Sequence, residues 1–551
     1  MKKAILAWIV LMAAGVLSFL YWGNRKEIWF CDEIFSYESA NGFEEVWPAT
    51  RTGEWMTGKD VEAFFSADSE RLSLNEITVR LYNDHVPLYF WLFRMVSFFF
   101  FKGSGSMWIG LSINLAFYLV FLGLGYWSFY KLTGKPWLSC VAMALAGVTN
   151  RLILEQITML RMYMMLLLAE CLLLLAGAWI LKNAGEKRLS PGIWIYLYPV
   201  SVFGFLTHYD YWIFYAVTAA AVCLWLLLAA VRKSGKRFLF TGEVRYVLAW
   251  AGCFIVSLLT TIWLFPYCRW NLNRGKGQMA LRSVFDFSRE KLDKIVWGYR
   301  RLSASVFGEG IPWGIGLLLL FGCIAGGLLV LYRKREKKKL AGLCLTVLIC
   351  QLYQFAVCFT MPAGWEERYL WCVFTLMTLC AAYGVLLVCG EAAVGLRGGE
   401  RGAVSGLRGR KRRIAAGYAA AALLTAGILA GEFRVIDHGN GVAYLFEPGR
   451  ELSVLRENSS IPWVVYGEME KGYSYYDWTI PERICFLNPA NMEENVEAIR
   501  ELQGQEECIL YIFEENLAEA TELLERQLGK ELQVRYLMKS TYSSVYRVEI
   551  K

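Results

Sequence analysis

VPLYFWLFRMVSFFFF, residues 86–101, decides how this chain is threaded. It is apolar enough to pass for a membrane span. Yet sixteen helical residues at 1.5 Å each cover about 24 Å, short of a hydrocarbon core about 30 Å thick. Arg94 stands in its middle, where a charge facing lipid is costly. The segment is expected to be a helix lying at the membrane surface, with Pro87 in its first turn.

The rest of the chain, 551 residues and 56% hydrophobic, supplies eleven further apolar runs near 4–21, 108–130, 137–154, 162–181, 192–208, 211–231, 246–266, 311–332, 340–361, 369–390 and 414–431. Such runs are long enough to cross a bilayer. The first has a basic start like a signal peptide and is expected to be kept as a span. With Lys2 and Lys3 inside and 86–101 held out, the loops on the cytoplasmic side are Lys131/Lys135, 182–188, 232–237, 333–339 and 397–413. All are basic, as cytoplasmic loops tend to be. The expected topology is eleven spans, N-terminus cytoplasmic and C-terminus outside.

Charge also divides the chain. From residue 441 onward 20 acids face 11 bases, a net −9, which leaves +17 for the first 440 residues. A basic excess can signal nucleic acid, but here it falls in short loops and reports orientation. The expected organisation is a membrane module over 1–431, its first outer loop spanning 22–107, and a soluble α/β domain over 432–551. That tail reads as strand, helix, strand, helix and two strands, from "IPWVVY" (461–466) to "SSVYRVEI" (543–550). Most of the fifteen cysteines sit in apolar runs, and no CxxC pair occurs, so a zinc or thioredoxin site has no support. Cys485 and Cys508 could pair if the tail lies outside the cytoplasm.

On this topology several charged stretches share the outer side. "CDEIFSYE" (31–38) carries Asp32, Glu33 and Tyr37 among aromatics, and "YNDHV" (82–86) carries Asp84 and His85. "RMY" (161–163) carries Arg161 and Tyr163, "THYDYW" (207–212) His208, Tyr209 and Asp210, and "EERYL" (366–370) Arg368 and Tyr369. Each alone reads as a solvated loop or a snorkelling side chain at a span end. Gathered on one side, with all three histidines of the chain, they are candidates for a site. The loop 267–310 adds nine Lys/Arg against four acids, a pattern suited to phosphate or to lipid headgroups.

The acidic pair after the first span, then "NDHVPLYFWL" (83–92), "RMY", "THYDYW" and "RYL" (368–370), taken in order, resemble the GT-C superfamily of membrane glycosyltransferases. The likeness is to the bacterial protein-O-mannosyltransferase-like and aminoarabinose-transferase-like enzymes of the family 39 type, and covers roughly residues 1–390. Val86 stands where that family usually has Pro, and Glu155 stands six residues before Arg161, wider than its E-x-R.

The resemblance implies a polytopic α-helical membrane protein of GT-C type, with about eleven transmembrane helices, juxtamembrane helices outside and a small extracytoplasmic α/β domain, in a bacterial inner membrane. It implies transfer of one sugar, with inversion, from a polyprenyl-phosphate donor (undecaprenyl in bacteria) to a hydroxyl of a glycan, lipid or protein acceptor. Asp32 takes the role of general base, with Glu33 and Asp84 assisting, because a hydroxyl does not attack unaided. His85, Tyr37, Arg161, Tyr163, His208, Tyr209, Arg368 and Tyr369 are implied to bind substrate, the arginines offsetting charge on the departing phosphate. No metal is then required, though a divalent cation stays open, and no nucleic-acid partner is implied. The rival readings are a transporter or flippase, or a polymerase or ligase, of lipid-linked saccharides. A transporter should carry ionisable groups in mid-span, where this chain has little besides Glu170.

Overall fold

A computed structural model describes residues 1–397 and 451–551, except 28, 43–47, 67–71, 84, 185–188, 235–238, 275–277, 279–281, 284–287, 361–365, 468–473, 489–491, 514–515 and 541–542. The apolar runs fold as helices: α1 (Lys2–Gly23), α4 (Trp108–Thr133), α5 (Pro136–Gly147), α6 (Arg151–Thr158), α7 (Tyr163–Asn183), α8 (Gly192–Phe205), α9 (Asp210–Ser234), α10 (Gly242–Leu264), α12 (Trp313–Arg333), α13 (Lys337–Thr360) and α14 (Trp371–Arg397). Between them lie α2 (Cys31–Asn41), α3 (Leu88–Phe100) and the amphipathic α11 (Arg289–Phe307). This is a multi-span membrane protein.

Ten of the eleven expected spans fall within the described residues, each on a helix or, for 137–154, a bent helix pair. Among the described residues eight helices are long and apolar enough to cross, or nine if α5 and α6, bent by 64° to one another, form one broken span. The bend falls at Val148–Asn150, where the Asn150 side chain caps α6 by accepting from the Leu152 N–H at 2.8 Å. Helix α8 has only 14 residues, about 21 Å, with Pro199 inside it. It nevertheless runs from the start of α10, where the Ser190 N–H reaches the Tyr246 hydroxyl, to Leu206, whose carbonyl accepts from the Leu88 N–H. The run 414–431 lies outside the described residues.

Helix α3 is the decisive segment of the sequence. At 13 residues it is too short to cross. Its awkward Arg94 is wholly buried and turns inward to the Asn41 side chain of α2 at 3.4 Å, so the charge faces protein. The first turn of α3 hangs on the end of α8, which puts it at one end of the bundle.

That end also receives a six-stranded sheet: β1 (Trp55–Met56), β2 (Trp463–Tyr466), β3 (Ile484–Leu487), β4 (Glu507–Phe513), β5 (Leu532–Ser540) and β6 (Ser543–Ile550), in the order β1-β3-β2-β4-β6-β5. Strand β2 runs parallel to β3 and β4, with Trp463 opposite both Ile484 and Ile509; the other pairs are antiparallel. Alternation gives the sheet two apolar faces. Val464, Cys485, Leu510 and Ile512 pack under α15 (Met492–Arg500) and α16 (Leu517–Leu528). Trp463, Val465, Phe486 and Tyr511 join the core shared with the first loop and the bundle. Cys485 and Cys508 are both free and sit on strands either side of β2, offset by two residues along the ladder, so they are more than about 9.5 Å apart, beyond disulfide reach.

The α/β unit is therefore not built from the tail alone, since its edge strand β1 comes from the first loop. The approach there is close: a Cβ on Gly58 would lie 2.2 Å from the Thr479 carbonyl oxygen. Gly58→Val is expected to destabilise the protein by about 1–3 kcal/mol through overpacking. A lower melting temperature than wild type checks this, with Gly504→Ala, which meets open space, as the unaffected control.

Basic side chains collect at the other end of the bundle. Lys131, Lys182, Arg232, Lys233 and Arg333 occupy the last turns of α4, α7, α9 and α12, where they also complement the helix dipoles.

Candidate functional site

The candidate cluster is organised by the first turn of α2. Asp32 and Glu33 both occupy that turn, where negative charge suits a helix N-terminus. Neighbouring residues of a helix point about 100° apart, so the two acids face different surroundings.

Glu33 points into the protein and is wholly buried. Its Oε2 accepts from the Phe30 N–H at 2.7 Å. Its Oε1 accepts from the Leu160 N–H at 2.6 Å and pairs with Lys26 Nζ at 3.0 Å, both side chains being fully enclosed. Burial pushes the Glu33 carboxyl up and the Lys26 ammonium down, and the pairing partly offsets each. This knot ties the end of α1, the start of α2 and the turn between α6 and α7 to one another.

Asp32 points outward, with about a quarter of its side chain exposed. Its Oδ2 accepts from Arg368 Nη1, while Arg368 Nη2 pairs with Glu366. The Arg368 guanidinium lies over the Phe30 ring at 5.3 Å and the Tyr369 ring at 5.4 Å. Arg161 comes from the other side. Its Nη1 donates to the Asp32 carbonyl and to the Ser36 hydroxyl, each at 2.9 Å, and its Nη2 lies 2.9 Å from His85 Nε2. Arginine only donates, so His85 Nε2 accepts and the proton of the neutral ring sits on Nδ1. Both arginines are buried, and each keeps a buried Nε–H with no acceptor among the described residues.

An aromatic wall follows. Tyr163 meets Trp371 edge-on at 5.5 Å and His208 at 5.8 Å, and His208 is 6.4 Å from Tyr369. The Asp210 N–H donates to His208 Nδ1 at 3.1 Å, and the Asp210 carboxylate is 3.3 Å from the same nitrogen.

Of the residues singled out in the sequence, the structure brings together Asp32, His85, Arg161, Tyr163, His208, Arg368 and Tyr369. Three stand apart. Glu33 is enclosed behind the pocket. Tyr37 is wholly buried between Trp29 and Phe93, both at 4.4 Å, and its hydroxyl donates to the Ser106 carbonyl. The Tyr209 hydroxyl is occupied by the Asn271 side chain at 2.7 Å. Asp84 lies outside the described residues. Lys26 and Ser36 are new: Ser36 falls one turn after Asp32 on the same helix face, a spacing visible in the sequence, whereas nothing in the sequence pairs Lys26 with Glu33.

Three of the nine basic residues of 267–310 are engaged within the protein. Lys294 pairs with Glu290 at 2.9 Å, the Lys291 ammonium donates to the Phe359 carbonyl at 2.6 Å, and Arg301 binds Glu367 and Glu309. They hold α11 to its neighbours. Among the described residues the donors here do not suit a divalent cation either: Asp32 is matched to a guanidinium, and the His85 nitrogen already accepts from one. Two cations beside one partly open carboxylate suit an anion.

The α/β unit braces this end of the bundle. Its Tyr475 packs against Phe65 at 3.6 Å and Trp29 at 5.2 Å, directly behind α2.

The class defined by these features is a multi-span membrane protein with a cluster of two buried arginines, a partly exposed carboxylate and aromatic rings, and a small α/β unit, at one end. No protein-family model matches the chain, and no curated protein matches it. Among solved structures it is similar to ArnT from Cupriavidus metallidurans bound to undecaprenyl phosphate, at 10% identity over 98% of each chain with a TM-score of 0.47. The apo state of that protein is similar at 12% identity over 99% of this chain and 98% of the other, TM-score 0.48. So is the archaeal oligosaccharyltransferase AglB from Archaeoglobus fulgidus, in complex with an inhibitory peptide and a dolichol-phosphate, at 10% identity over 97% of this chain and 74% of the other, TM-score 0.45.

Proposed function

We propose that the chain is an integral-membrane glycosyltransferase that moves a single sugar from a polyprenyl-phosphate donor to an acceptor hydroxyl. The observation that carries this reading is the shared grip on Asp32: Arg368 holds its carboxylate and Arg161 its backbone carbonyl. Donor phosphate competes with the Asp32 carboxylate for Arg368. When the phosphate wins, the carboxylate is released where an acceptor hydroxyl arrives. The hydroxyl oxygen then forms a bond to the anomeric carbon, the carbon–oxygen bond to phosphate breaks, Asp32 takes the hydroxyl proton, and the phosphate monoester leaves with the electron pair. Attack and departure on opposite faces invert the anomeric centre. Arg368 and Arg161 stabilise the departing charge, and their unpartnered Nε–H groups are donors waiting for an acceptor. His208 and Tyr369 offer ring faces to the sugar, backed by the buried Tyr163. Glu33 and Tyr37 act as positioning residues.

The pocket then lies on the extracytoplasmic side, because the lysine-rich helix ends gather at the opposite end of the bundle. A lipid-borne donor suits a site at the mouth of membrane helices, and a bacterial inner membrane would supply it as undecaprenyl phosphate. The N-terminus is then cytoplasmic and the α/β unit outside. One observation favours a flippase or transporter instead: Glu170, wholly buried inside α7, has both carboxyl oxygens without a hydrogen-bond partner among the described residues.

Arg368→Ala separates these readings. It is expected to weaken polyprenyl-phosphate binding about tenfold and to slow transfer by roughly 10²–10³-fold, the usual cost of losing a charge-stabilising donor. Binding by tryptophan fluorescence and release of free polyprenyl phosphate are the readouts. Wild-type rates in Arg368→Ala would sink the proposal, and so would donor binding without turnover in wild type across a panel of acceptors.

A further inference from the structure

At the end of the bundle opposite the pocket, α4, α7, α9, α13 and α14 enclose a cavity of about 740 Å³, within the range of ligand sites. Its walls are apolar, with Leu124, Leu174, Val222, Ile349 and Leu376 among them. Its rim is not: Lys131, Lys182, Lys337, Lys338 and Lys339 all line it. Lys182 at the rim and Cys171 deep inside are eleven residues apart on α7, so the cavity is about 16 Å deep, half the hydrocarbon thickness. Tyr163 of the candidate pocket is a further eight residues along, about 12 Å, so this is a separate space. Tyr383 lines the cavity, and its buried hydroxyl has no hydrogen-bond partner among the described residues, which is costly unless an acceptor arrives.

We propose that this cavity binds an anionic diacyl phospholipid, its phosphate on the lysine rim, its ester oxygens within reach of Tyr383 and its acyl chains along the apolar walls. Charge complementarity selects that occupant. Four of the five lysines are exposed, and among the described residues only Lys339 pairs with an acid, Glu336 at 3.5 Å. The chain's own continuation beyond Arg397 is a poor rival, since residues 398–413 carry six Lys/Arg against one acid and five lysines repel them. A lysine near an anionic bilayer surface is drawn to it, so the rim is matched to a headgroup of that leaflet.

Native mass spectrometry of the full chain, released from neutral detergent, tests the site. Phosphatidylglycerol is expected to be retained one to one, at least tenfold more tightly than phosphatidylcholine. The triple variant Lys131→Glu, Lys182→Glu, Lys337→Glu is expected to lose at least tenfold for phosphatidylglycerol. Ala178→Trp, at an exposed position on the cavity wall, is expected to abolish the one-to-one species at an unchanged melting temperature. Retention by Ala178→Trp at the wild-type level overturns the proposal, as does equal binding of the two phospholipids. Displacement of phosphatidylglycerol by polyprenyl phosphate from the same stoichiometric site overturns it too, in favour of the carrier lipid.

Discussion

Asp32→Asn is expected to fold, to melt at the wild-type temperature, to bind polyprenyl-phosphate sugar, and to transfer it about 10²–10⁴ times more slowly. The size is that of losing a positioned general base. The substitution keeps the shape of the side chain and removes the charge that Arg368 now holds. Because Asp32 is partly exposed and the Arg368 guanidinium keeps its pairing with Glu366, the fold tolerates the loss of charge. Donor binding should tighten if anything, since the phosphate no longer competes with a carboxylate. The measurement is single-turnover release of free polyprenyl phosphate beside an equilibrium donor titration. A variant that lost binding together with turnover would reassign Asp32 from the chemistry to the donor.

Glu33→Ala, one residue on, is expected to do the opposite. It strands the Lys26 ammonium in a fully enclosed site and orphans the Phe30 and Leu160 N–H groups. Breaking a buried pair by removing one partner costs about 3–5 kcal/mol, enough to unfold a marginal protein. The readout is the melting temperature in detergent. The companion variant Lys26→Met with Glu33→Leu removes both charges and should recover much of that loss. A Glu33→Ala protein that melts like wild type but does not turn over would move Glu33 into the chemistry.

These two acids show what the sequence can and cannot disclose. Their presence at the end of the first span is plain, and so is their company of aromatics. Their division of labour is not, because it depends on which way α2 is rolled, and Lys26, which fixes the roll, looks like one more basic residue after a span. Arg161, His85 and Arg368 were legible as polar groups at span ends, and they do converge on Asp32. Tyr37 and Tyr209 read the same way in the sequence, but their hydroxyls close hydrogen bonds with Ser106 and Asn271 away from the pocket.

The helices were legible for the same reason that the loops were not. Twenty apolar residues have one economical fate in a bilayer, and the surface reading of α3 followed from its length and from Arg94. The short α8 and the break at Val148–Asn150 depend on local caps and turns that hydropathy does not register. In the tail, β2, β4, β5 and β6 were visible as apolar or alternating runs. The four-residue β3, "ICFL", and the two-residue β1 were not. β1 belongs to a sheet whose other strands lie some 400 residues away, and no local pattern signals such a partnership.

The most direct test of the account is the consumption of lipid-linked sugar by purified wild type and Asp32→Asn, offered a panel of polyprenyl-phosphate sugars with glycan, lipid and peptide acceptors. The account predicts that wild type releases free polyprenyl phosphate from one donor class and that Asp32→Asn, equally folded, does so at least 100-fold more slowly. Equal rates in the two proteins, or no release from any donor by wild type, would contradict it.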